Sequence, residues 1–122
     1  MVYKDDIDRK YLRDKWNKVI SVLSLRFSQG ENLDIDNVLY IIGLREFGQV
    51  KTKFSKDQKV NLMHIAICRL LEPYGYYAME GIDHDGWPHY SEVEKLPNMS
   101  VGEQTIFLKK AVINYLEDEK II

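Results

Sequence analysis

At 122 residues, with 45% hydrophobic and 30% charged side chains, the chain has the size and composition of one folded domain and lies far from the disordered regime. Its formal net charge of -2 gives no overall pull toward nucleic acid or an anionic membrane. The lone cysteine, Cys68, excludes an internal disulfide and a multi-cysteine zinc site.

The charged start, with Lys4, Asp5, Asp6, Asp8, Arg9 and Lys10, lacks the basic-then-apolar order of a secretory signal. Apolar runs reach only about five residues, against the ~20 needed to span a bilayer. A cytoplasmic location, with no membrane association, is the resulting expectation. No internal repeat or linker breaks the chain, so residues 1–122 read as a single helical domain.

The first helix is predicted over Asp5–Ser28. Leu12, Trp16, Val19, Leu23 and Phe27 recur at three- and four-residue steps along one face, and Gly30 is placed to stop it. The second is predicted over Asp34–Phe47, with Asp34 as cap and Leu33 and Val38 at staple spacing. Its run Val38–Ile42 also suits a buried strand, but the cap and the length favour a helix. Gly43 inside it costs about 1 kcal/mol relative to alanine, unless it admits a close neighbour.

The third helix, Ser55–Glu72, opens with a capping box, Ser55 and Gln58, and closes at Pro73 and Gly75. Between Val60 and Leu71 only Asn61, His64 and Arg69 are polar, the pattern of a central helix. The fourth, Ser100–Lys120, repeats the capping box with Ser100 and Glu103, and Val101, Leu108, Val112 and Tyr115 share a face.

Between helices three and four, Tyr76–Ile82 and Trp87–Val93 read as a hairpin closed by Asp83-His84-Asp85-Gly86, with Gly86 able to take positive φ. The fold class is therefore mainly α: a small, four-helix, bundle-like domain with a β-hairpin inserted between helices 3 and 4.

Functional signals are sparse. His64, Cys68 and Glu72 fall four apart on the third helix, a spacing that can hold a metal, but a half-buried histidine and a small apolar cysteine account for them more simply. His84 and His89 stand among Glu80, Asp83 and Asp85, a set suited to a divalent metal or acid–base work, although turns attract aspartate for backbone reasons alone. Gly81 at the first ligand position argues against a calcium loop. Tyr76, Tyr77, His84, Trp87, His89 and Tyr90 are the ligand-binding candidates; no metal site or cofactor is predicted, His84 and His89 being the only metal candidates. Lys51, Lys53, Lys56 and Lys59 lack interleaved aromatics and argue poorly for nucleic acid.

The two-sidedness of the outer helices carries more information. Ile7, Tyr11, Val22 and Leu25 form a second strip on the first helix, and Ile106 and Ile113 lie off the main stripe of the fourth. Either these strips are covered within the monomer or they meet a second chain. The leading expectation is a non-enzymatic interaction or regulatory domain, self-associating as a homodimer through helices 1 and 4, with no further protein partner identified. The alternative is a metal-dependent enzyme or small-ligand binder using the aromatic, histidine and aspartate segment 74–92.

Overall fold

The computed structural model describes residues 2–27, 33–49 and 53–122, with side chains from Asp8 onward. Gly30 and Lys51 lie outside the described residues, as does the side chain of Ile7. The elements are α1 (Val2–Phe27), α2 (Ile35–Phe47), α3 (Lys56–Leu71), a 3₁₀ turn (Glu72–Tyr74), β1 (Tyr77–Ile82), β2 (Pro88–Glu92) and α4 (Val101–Asp118). The protein is mainly α, with four helices and an antiparallel hairpin between the third and fourth.

The helix starts follow from local chemistry. The Ser55 hydroxyl accepts from the Gln58 amide at 3.1 Å, and the Gln58 side chain accepts from the Ser55 amide at 2.9 Å. Ser100 and Glu103 repeat the exchange at 3.1 and 3.0 Å. Each box satisfies two amides that the helix itself cannot. The segment Val38–Ile42 is helical, so its β-branched content is overridden by packing.

The chain divides into two compact units, residues 35–98 and residues 1–34 with 99–122. In the first, α2 packs on α3 where a Cβ on Gly43 would collide with the Leu62 backbone carbonyl. The glycine's cost to α2 is therefore offset by close helix approach. Val38, Leu39, Ile42, Leu62, Ile65, Ala66, Cys68, Leu70 and Leu71 are buried, and α3 touches α2, the 3₁₀ turn and both strands. The central place expected for this helix holds within its unit.

The hairpin pairs Tyr77 with Glu92, Ala78 with Ser91 and Met79 with Tyr90; a bulge then shifts the register so that Gly81 faces His89 and Ile82 faces Pro88. Gly86, at φ 91°, closes the turn, its amide donating to the Asp83 carbonyl at 3.0 Å.

The other unit holds α1 and α4. Val19, Leu23, Ala111, Val112, Tyr115 and Leu116 are buried. The Lys15 ammonium donates to the Glu117 carboxylate at 2.9 Å, and the Lys109 ammonium lies 5.2 Å from the centre of the Trp16 ring. Two stripe assignments need correction. Phe27 is exposed at the last residue of α1, and Val101 is 81% exposed at the first residue of α4. Helical spacing marks a face but does not say how far along the helix a neighbour extends.

Candidate functional site

The aromatic hairpin sorts its residues between two environments. Trp87 stacks on Phe47 with ring centres 4.3 Å apart, and Phe54 meets both rings edge-on. Gln49 fills the space beside Gly86, where a Cβ would strike its side-chain amide. The α2–α3 connection thus grips the hairpin turn. Tyr77 meets His64 edge-on at 6.5 Å. Tyr90 stands among Glu46, Glu72, Arg69 and Cys68; burial foremost, then the Glu46 and Glu72 carboxylates, push its phenol up to about 12. Tyr77 is raised as well, chiefly by burial. Both phenols stay protonated at neutral pH, so they serve as hydrogen-bond donors and packing surfaces rather than as bases.

His89 points elsewhere. Its Nε2–H donates to the Asp83 carboxylate at 2.8 Å, and the other Asp83 oxygen accepts from the Asp85 and Trp87 amides at 2.9 Å each. These bonds, the His89 contact first, hold the Asp83 carboxyl below its ordinary value of 3.8. His84 is almost fully exposed, with the Asp85 carboxylate 3.7 Å from its Nε2. The six candidates Tyr76, Tyr77, His84, Trp87, His89 and Tyr90 therefore do not converge on one point. Among the described residues, no three His, Cys, Asp or Glu side chains gather as a metal site.

On α3 the small apolar cysteine is as expected, but the histidine read as half-buried is exposed. Cys68 is buried and His64 exposed, because the hairpin covers the Cys68 side of the helix. The Cys68 sulfur and His64 Nε2 are 3.5 Å apart, but burial raises the thiol to about 11. A protonated, enclosed thiol is a poor nucleophile. Sequence reasoning missed the ion pairs on this side, where Arg69 reaches Glu46 at 3.3 Å and Glu72 at 4.0 Å. Glu46 is remote in sequence, and no local spacing reveals it.

The α1–α4 unit carries two adjoining depressions. One depression of about 340 Å³ is lined by Asp8, Tyr11, Leu12, Lys110, Ile113, Asn114 and Glu117. A neighbouring one of about 220 Å³ is lined by Asp8, Arg9, Leu12, Ile106 and Lys110. Sharing Asp8, Leu12 and Lys110, they adjoin as one trough, with these three residues at the junction.

Tyr11 is 62% and Ile106 42% exposed, as expected of an outer strip. Leu25, at 79%, is exposed too, and Val22 is half-buried. Ile113 requires a correction: it is only 6% exposed, within a stretch of α4 where Ala111, Val112, Tyr115 and Leu116 are also buried, and only its edge reaches the trough. The charged rim of Asp8, Arg9, Lys110 and Glu117 escaped the sequence reading. Its signal was present in the helical spacing of residues 106, 110, 113 and 117, which share one face.

Compared with known protein families, curated proteins and solved structures, the chain shows no match. No helix among the described residues is long and apolar enough to cross a membrane.

Proposed function

We propose that the protein is a non-enzymatic interaction domain that self-associates through α1 and α4. The single observation that supports this reading is the trough, whose apolar floor and exposed Tyr11 and Ile106 are bordered by charges of both signs. An apolar centre ringed by polar groups is the usual anatomy of a protein interface, and tyrosine contributes large contact area at small entropic cost. In the other unit, Asp83 and His89 are bonded to each other across the hairpin turn, and Cys68 is buried on α3 as a neutral thiol. A single enclosed thiol suits a reducing, cytoplasmic setting.

Sedimentation velocity across a wide concentration range tests the reading. A monomer–dimer equilibrium is expected, with Tyr11→Glu displacing it to monomer because the substitution places a charge in the apolar centre. A wild-type protein that stays monomeric at millimolar concentration overturns the proposal.

A further inference from the structure

Resting on the self-association reading, we infer the geometry of the pair: two copies meet trough to trough about a two-fold axis that runs along the trough, so that Asp8 of each copy faces Lys110 of the other. Asp8 from α1 and Lys110 from α4 line both depressions, as does Leu12, so the three residues sit at the junction, the waist, where the depressions adjoin. Among the described residues, neither is held in an ion pair within its own chain.

A face-to-face contact between identical surfaces has its two-fold axis in the contact plane. An axis across the trough would lay α1 over α1, bringing Asp8 near Asp8 and Lys110 near Lys110. An axis along it lays α1 over α4, bringing acid over base on both sides of the waist. Like charges placed face to face are strongly disfavoured at an interface, so charge selects the second arrangement. The same arrangement brings Glu117 over the end of the trough that holds Tyr11, whose hydroxyl can donate to it. Glu117 is already paired with Lys15 of its own chain, and Asp8, Arg9 and Lys110 carry both signs, which suits a second copy better than a strongly charged partner.

The test uses two charge reversals in the full chain, Asp8→Lys and Lys110→Asp, followed by sedimentation with one variant fluorescently labelled. Each variant alone sets like charges opposite one another twice per dimer and should weaken self-association about tenfold. An equimolar mixture should recover wild-type affinity. In the mixed pair the reversed position 8 of one chain meets the reversed position 110 of the other, again with opposite signs, and the two unaltered residues, Asp8 and Lys110, meet as before. Pairing within a single chain could not produce that rescue.

Variants that self-associate like the wild type, or mixtures as weak as each variant alone, overturn the inference while leaving self-association itself standing. A monomeric wild type overturns both. If a reversed chain loses its helical circular dichroism, Asp8→Asn and Lys110→Gln replace it. Each should then weaken the dimer about threefold, with the double variant no weaker than either single one; additive losses overturn the pairing.

Discussion

The two units of this small protein both leave apolar residues exposed, Val60, Ile82 and Val93 in one and Tyr11, Leu25 and Ile106 in the other, but they employ their most conspicuous side chains differently. In residues 35–98, unusual residues are consumed by packing. Gly43 seats α2 on Leu62, Trp87 stacks on Phe47, and Asp83 ties the turn through two amides and His89. In the α1–α4 unit, Tyr11, Leu25 and Ile106 remain in solvent although the helices bury Val19, Leu23 and Val112. The contrast bears on how a conspicuous residue is interpreted. Trp87, Tyr90 and the Asp83–His89 pair serve to fasten a hairpin that would be marginal alone. Apolar residues on the outer flank of a well-anchored helix have no such structural duty.

The most severe challenge to this division is at Gly43. Replacement by alanine should destabilise the protein by about 2–3 kcal/mol in urea denaturation, because the methyl group meets backbone that cannot yield cheaply. Helix propensity alone argues for a gain of about 1 kcal/mol, and observing that gain would remove the close α2–α3 approach.

The next effect in size contrasts one aromatic from each unit. Trp87→Ala should cost about 2 kcal/mol through lost stacking on Phe47 and Phe54, whereas Tyr11→Ala should change stability by less than about 0.5 kcal/mol while weakening self-association. Equal costs at the two positions would erase the distinction between a packing aromatic and a contact aromatic.

Smaller losses are expected at the caps, one in each unit. Ser55→Ala and Ser100→Ala should each cost about 1 kcal/mol in thermal or chemical denaturation.

Weakest of all is the pH response of the turn. The folded-state value of Asp83 lies below its unfolded value near 3.8, so its stabilising contribution is complete above that value and is lost as pH falls through the lower, folded one. Trp87 fluorescence, reporting on the stack beside the turn, should show this acid-side loosening in the wild type and not in Asp83→Asn. An unchanged profile in the variant would detach Asp83 from the turn's stability.

Much of the architecture was legible because it is encoded locally. Both serine capping boxes, the end of α3 before Pro73 and the glycine turn at Gly86 depend on residues within a few positions of one another, and short-range hydrogen bonding and φ preferences act at that range. The candidate site was legible only in part. Tyr11 and Ile106 stood out as apolar residues off the main stripes, but periodicity could not show that Ile113 is buried or that Asp8 and Lys110 sit with Leu12 at the junction of the two depressions.

Four helices, the starts of α3 and α4, and a hairpin with its turn were thus written into the order of the residues, whereas α1 begins at Val2, ahead of the Asp5 expected; the features that were legible are governed by backbone chemistry over a few positions. Folding in three dimensions settled the rest: which flank each helix buries, that Cys68 goes inward while His64 stays out, that Glu46 meets Arg69, and that Tyr11 and Ile106 line adjoining depressions. Those outcomes depend on which surfaces meet across long stretches of chain, and burial is a property of the meeting surfaces rather than of either one alone.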